Sequence, residues 1–135
     1  MSAILVPTGL LTGVAEMDGQ HDRLFHEIQQ VKDALLAAAD GQGDGLALLS
    51  RLAEALDQHF VWEEESARRH GIPFAEHARD HARIGAFVRA KINELNSGEC
   101  NIPALMVFMD RCFETHVVHH DLKLGRDLLA VQALE

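Results

Sequence analysis

Apolar residues recur every three to four positions along most of the chain, a period that predicts amphipathic helices, and no useful stretch alternates as a half-buried strand would. The pattern divides into four helical segments of roughly 20 residues or more, separated by clusters of Gly, Asn, Asp and Pro. The first segment carries a continuous stripe that consists of Leu24, Ile28, Val31, Leu35 and Leu36. The predicted fold class is therefore all-α.

Capping and turn residues predict where the first two helices begin and end. Asp18 is the expected N-cap of the first helix, and the Gly-rich tract 40–45 ends that helix. Asp44 is placed to cap the second helix, and Gly71 supplies the left-handed residue that commonly follows a helix end. The second helix is thus expected to run from about residue 45 to about residue 70.

The same signals bound the third and fourth helices. Pro73 fits the first turn of the third helix, which ends at the Asn-Ser-Gly sequence 96–98. Asn101 and Pro103 open the fourth helix, whose pattern continues into residues 128–129. The inward stripe of the fourth helix is formed by Leu105, Met109, Cys112 and His116. Because the connections are short, we predict an up-down-up-down antiparallel four-helix bundle in one domain over 1–135, with an extended N-terminal arm at about 1–17 and the bundle at about 18–130.

Composition excludes several classes of function. The chain has 12 Lys and Arg against 21 Asp and Glu, a net charge of −9, which argues against binding to nucleic acid or to an anionic membrane surface. Its longest uncharged stretch, residues 2–15, is interrupted by Pro and Gly and is too short to span a bilayer. Cys100 and Cys112 form no CxxC motif and no disulfide framework, so we expect a reducing, cytoplasmic location. The remaining feature is the presence of nine histidines in a chain with one Trp and no Tyr.

Seven of the His, Glu and Asp side chains are predicted to meet at one end of the bundle, where the starts of helices one and three lie beside the ends of helices two and four. These candidate metal ligands are His21, His59, Glu63, His77, His81, His116 and Asp121. Side chains four residues apart share a helical face, so His59 with Glu63 and His77 with His81 can each reach one site. Seven ligands exceed the needs of one ion, whereas five imidazoles with two carboxylates suit two bridged ions. The sequence therefore predicts a non-haem di-iron centre.

The fourth helix leaves one choice of ligand open on geometric grounds. His120 is four residues after His116 and would share its face on an ideal helix, whereas Asp121, five residues after, would lie about 140° away around the axis. A local widening of the helix into a π turn would bring Asp121 back to the same face.

The order of these motifs resembles the hemerythrin family in its bacterial single-domain form. The resemblance covers roughly residues 10–129 and is carried by the TGVAEMDGQH sequence 12–21, HFVWEE at 59–64, HARDH at 77–81 and HVVHHD at 116–121. It implies that His77, His81 and His116 bind one iron, that His21 and His59 bind the other, and that Glu63 and Asp121 bridge them together with an oxo or hydroxo group. It favours Asp121 over His120, and it implies that dioxygen binds reversibly at the iron with two histidines.

Two residues of the fourth helix are candidates for the wall of the oxygen pocket. Phe113 lies about one turn before His116, and Cys112 lies on the inward stripe, four residues before the same histidine. Bacterial members of the family often carry Trp where Cys112 stands, which implies a more open pocket here. A small buried core residue is the simpler interpretation of Cys112.

The function expected from the resemblance is reversible dioxygen binding for storage, transport or delivery, without enzymatic activity. Neutral imidazoles outnumber carboxylates among the candidate ligands, so the ferric state is stabilised less than in the carboxylate-rich di-iron oxidases. Two alternatives remain: an oxygen or redox sensor that acts through a separate partner protein, and a di-iron oxidase or nitric-oxide-handling protein. The expected partner molecule is dioxygen, and the sequence identifies no protein partner.

Overall fold

The computed structural model describes residues 6–37 and 44–134, and these ranges contain helices and no strand. A 3-10 turn, Thr8–Leu10, precedes five helical stretches: α1 (Ala15–Ala37), α2 (Gly45–Arg69), α3 (Ala75–Asn96), α4 (Ile102–His116) and α5 (Leu122–Ala133). A π turn, Val117–Asp121, joins α4 to α5, so that these three form one long helical arm. Helix α1 packs on α2, α2 on α3, α3 on α4 and α4 on α1, which closes the four arms into a bundle. The predicted all-α four-helix bundle is confirmed.

The beginning of α1 corrects one prediction. The helix begins at Ala15, so Asp18 lies inside its first turn and is not the N-cap. From there the Asp18 carboxylate accepts hydrogen bonds from the backbone N–H groups of Thr12 at 2.8 Å and Gly13 at 3.1 Å. The Thr12 hydroxyl accepts from the N–H of Val14 at 3.1 Å. Asp18 thus satisfies the donors of the preceding loop, and the helix starts four residues earlier than a capping role would allow.

The other boundaries divide into confirmed and corrected ones. Asn101 caps α4, since its side-chain oxygen accepts from the N–H of Ala104 at 3.0 Å. Asp44 stands at the N-cap of α2 but makes no capping hydrogen bond through its side chain. Pro73 precedes α3, which begins at Ala75, because Ile72 and Phe74 pack into an apolar cluster and hold this segment outside the helix. Most of the Gly-rich tract 40–45 lies outside the described residues.

The π turn has the form that the spacing of His116 and Asp121 required. The N–H of Leu122 donates to the carbonyl of Val117, five residues earlier, as in a π-helix. The widened turn directs both Val117 and Asp121 into the interior, where they are fully buried. The predicted widening of the fourth helix is confirmed.

The buried core of the described residues contains three apolar clusters. A polar layer separates a larger cluster from a smaller one, and the third cluster consists of Val6, Leu10 and Val117. The larger cluster fills the middle and far end of the bundle and includes Leu24, Phe60, Ile84 and Met109. The smaller cluster lies nearer the chain termini and consists of Val14, Met17, Ala67, Leu124 and Leu128. The polar layer between them contains all seven candidate ligands. Among the described residues, no helix is long and apolar enough to cross a membrane.

Candidate metal centre

The polar layer receives side chains from all four arms of the bundle. Helix α1 contributes His21, α2 contributes His59 and Glu63, α3 contributes His77 and His81, and the α4 arm contributes His116 and Asp121. Every one of these residues is buried, and the exposed fraction of Glu63 and of Asp121 is 0%. The structure therefore brings together all seven side chains that the sequence singled out.

The two carboxylates lie between the imidazoles, and each carboxylate directs its two oxygens to opposite sides. Glu63 Oε1 is 3.0 Å from His81 Nε2 and 3.3 Å from His77 Nε2, while Glu63 Oε2 is 3.3 Å from His59 Nε2 and 3.8 Å from His21 Nε2. This arrangement is the one that a carboxylate needs to bridge two ions.

Asp121 divides the histidines in the same way. Its Oδ1 atom is 2.8 Å from His77 Nε2 and 3.1 Å from His116 Nε2, and its Oδ2 atom is 2.9 Å from His21 Nε2. Two sets result: a three-histidine set of His77, His81 and His116, and a two-histidine set of His21 and His59. Both sets share Glu63 and Asp121, and each is compact enough to hold a metal ion.

Several of the donor atoms of the layer lack the hydrogen bonds that buried polar atoms normally make. Among the described residues, eight buried side-chain N and O atoms have no hydrogen-bond partner, and all but Glu27 Oε2 belong to His21, His59, Glu63, His77 and Asp121. The N···O distances between these atoms are short, but their angles do not meet the geometry of a hydrogen bond. Leaving so many buried polar atoms unpaired is costly, and bound cations would remove that cost. The imidazole and carboxylate donors fit the iron that the family implies.

The charged side chains of the layer shift one another's pKa values. Burial lowers the pKa of His21, but the carboxylates of Asp121 and Glu63 outweigh burial and raise this pKa to about 9. The same two carboxylates overcome burial at His116 and raise its pKa to about 10. Burial raises the pKa of Glu63, and the surrounding histidines outweigh it and hold the pKa of Glu63 well below its usual range. The raised pKa values of His21 and His116 favour their protonated forms, and a metal ion that binds to these nitrogens must displace the protons.

Two residues that the sequence pattern did not single out contact the outer nitrogens of candidate ligand histidines. Gln20 Oε1 lies 2.6 Å from His59 Nδ1, and Asp80 Oδ2 lies 2.6 Å from His116 Nδ1. Both are adjacent in sequence to a candidate ligand, Gln20 to His21 and Asp80 to His81. Adjacent residues on a helix point about 100° apart, so such a neighbour faces the next helix rather than the centre. This adjacency is the only sequence signal that could have identified them.

His120, the open alternative to Asp121, lies outside the polar layer. Its Nε2 atom is 3.6 Å from Asp80 Oδ2, and its ring stacks on His77 with 5.1 Å between centroids. The π turn is the reason, because it rotates Asp121 rather than His120 toward the bundle axis.

An apolar cavity of about 50 Å³ adjoins the polar layer on the side of the larger cluster. His21, His59 and His116 stand at its polar end, and Leu, Ile, Val, Met and Phe side chains form most of its walls. Cys112 and Phe113 both line it, and the Phe113 ring meets His21 edge to face at 5.7 Å. Burial raises the pKa of the Cys112 thiol to about 11, which keeps this thiol neutral.

Comparison with known proteins agrees with the geometry of the layer. A model of the hemerythrin HHE cation-binding domain matches residues 12–126, a range that contains all seven candidate ligands. Searches of curated proteins and of solved structures found no match to this chain.

Proposed function

The chain belongs to the hemerythrin HHE cation-binding family, and we propose that it binds dioxygen reversibly at a pair of non-haem iron ions. His77, His81 and His116 would hold one ion, His21 and His59 would hold the other, and Glu63 and Asp121 would be shared between the two. When bound, the iron pair with its oxo or hydroxo bridge would supply the two electrons that dioxygen takes up and recover them on release. Domains of this family generally bind or sense oxygen rather than act as enzymes.

The observation that carries this proposal is the apolar cavity beside the two-histidine set. This set has the fewer protein ligands of the two, so its ion is the one with room for a further ligand. The cavity that meets His21, His59 and His116 there is small and almost wholly apolar. Dioxygen is a small neutral molecule that enters such a space without losing hydrogen bonds, whereas a polar substrate would lose them.

The ligand composition supports release of dioxygen over its consumption. Five of the seven side chains are imidazoles, which donate to a metal ion without adding negative charge. A ferric pair therefore gains less electrostatic stabilisation than it would among carboxylates, and return of the electrons to dioxygen is easier. The buried layer also keeps bulk water away from the bound gas.

Metal analysis combined with absorption spectroscopy tests this function. Protein loaded anaerobically with Fe²⁺ is expected to contain two irons per chain and to develop a visible band in air. That band should disappear on deoxygenation and return over repeated cycles. A single tetrahedral ion would contradict the di-iron centre. Loss of the band in one step, without recovery, would favour the sensor or the oxidase instead.

A matched pair of substitutions at Cys112 tests the role of the cavity. Cys112→Leu should fill part of the apolar space and exclude water, so the band that forms in air should persist several-fold longer than in the wild type. Cys112→Ser keeps the size but places a hydroxyl in the cavity, so the band should decay several-fold faster. The measurement is the half-life of the band in air at one pH, with Cys100→Ser as control. Equal half-lives in all four proteins would mean that the cavity does not protect the bound gas.

A further inference from the structure

Asp80 is a carboxylate outside the polar layer that binds the outer nitrogen of a candidate ligand, His116. It lies on α3, directly before His81, and its side chain is only 13% exposed. Its Oδ2 atom is 2.6 Å from His116 Nδ1, while the Nε2 atom of the same ring faces Asp121 and Glu63. The His116 ring thus connects Asp80 with the interior of the polar layer.

The two-histidine set has a different outer partner. Gln20 Oε1 lies 2.6 Å from His59 Nδ1, and the Gln20 amide donates in turn to Glu16 at 3.2 Å. An amide is neutral, whereas a carboxylate makes a charge-assisted hydrogen bond that is roughly twice as strong. The outer partners of the two sets therefore differ in charge at nearly the same distance.

We propose that Asp80 is a positioning residue that makes the three-histidine set the tighter of the two metal sites, so that this set fills first. By accepting a hydrogen bond from Nδ1–H of His116, Asp80 fixes the tautomer that leaves the Nε2 lone pair free for the ion. It also makes the ring a stronger donor, as carboxylates behind metal-bound histidines do. Gln20 fixes the tautomer of His59 in the same way but adds no charge. This inference rests on the proposed metal centre.

Arg83 allows the charge of Asp80 to be separated from its packing. The Arg83 Nε atom donates to Asp80 Oδ1 at 3.0 Å, so Arg83 and His116 bind different oxygens of one carboxylate. Arg83 is 65% exposed and draws negative charge away from His116. Removing Arg83 breaks the ion pair but leaves Asp80 free to act on His116 alone.

Titration of the 135-residue chain with Co²⁺, after removal of bound metal, tests the proposal, because the absorption bands of Co²⁺ report each ion as it binds. In the wild type, one ion is expected to bind before the other. Asp80→Asn preserves shape and should weaken the first ion about 10-fold to 100-fold, the usual range for loss of an outer partner, and leave the second ion unchanged. Arg83→Met should not weaken the first ion. Asp57→Asn, which breaks the exposed pair with Arg89, is the surface control.

The possible outcomes distinguish failure of the proposed role of Asp80 from failure of the proposed metal centre. Equal weakening in Asp80→Asn and Arg83→Met would show that the ion pair acts only through stability, and would overturn the proposal. An Asp80→Asn chain that binds the first ion as tightly as the wild type would overturn it as well. If the wild type bound no Co²⁺ at all, the metal centre would fail together with the role of Asp80. Circular dichroism of each variant without metal is the control that the helical content is unchanged.

Discussion

Replacing Glu63 with Ala is expected to remove nearly all metal from the chain. Each Glu63 oxygen faces one set of histidines, so a single substitution takes a ligand from both ions. Loss of an outer partner alone costs roughly 10-fold to 100-fold in affinity, and loss of a shared ligand should cost at least about 100-fold at each ion. Iron per chain after anaerobic loading and desalting, measured by emission spectrometry, is expected to fall from two to near zero.

Glu64→Ala is the matched control for this substitution. Glu64 is the next residue on the same helix and is exposed, so its removal should leave two irons per chain. Equal loss of iron in the two variants would mean that Glu63 does not bridge the ions. Retention of one ion in Glu63→Ala would mean that Glu63 binds only one of the two sets.

A second large effect is expected from His21→Leu. Leu fills a similar volume in this fully buried position but removes one of the two imidazoles of the two-histidine set. The three-histidine set keeps both carboxylates and should still hold its ion, since five ligands remain. The variant should therefore contain one iron per chain, and the visible band that appears in air should be absent.

His26→Leu is the control on the same helix, because His26 is exposed and lies outside the polar layer. It should keep two irons and the band. Loss of both irons in His21→Leu would show that the two sets cannot fill separately, which would contradict the division into three and two histidines. Retention of the band would place dioxygen elsewhere than at the two-histidine set.

The positions of the candidate ligands could be predicted from the sequence because they depend on local geometry and chain order. The spacing of four residues in His59–Glu63 and His77–His81 fixes a shared face, and short connections fix which helix ends meet. The distance of five residues from His116 to Asp121 conflicts with an ideal helix, and that conflict itself predicted the π turn.

The outer partners could not be predicted, because they depend on how the helices are rotated against one another. Asp80 reaches His116 across two helices that are far apart in sequence, and nothing in the HARDH motif indicates this contact. The start of α1 was misplaced for a related reason. Asp18 has the side chain of a cap, but it serves the loop before the helix instead of the helix end.

The polar layer lies between two apolar clusters, so ions bound there would stabilise the end of the bundle that has the smaller cluster. Ions held by side chains from His21 to Asp121 would cross-link all four arms at one level, much as disulfides tie distant segments together. The smaller cluster lies beyond that level, and its buried residues are Val14, Met17, Ala67, Leu124 and Leu128. Because this cluster has fewer buried residues than the larger cluster, the ends of the four arms depend more on the cross-link for their stability. Conditions that strip the ions would therefore loosen this end of the bundle before the rest unfolds.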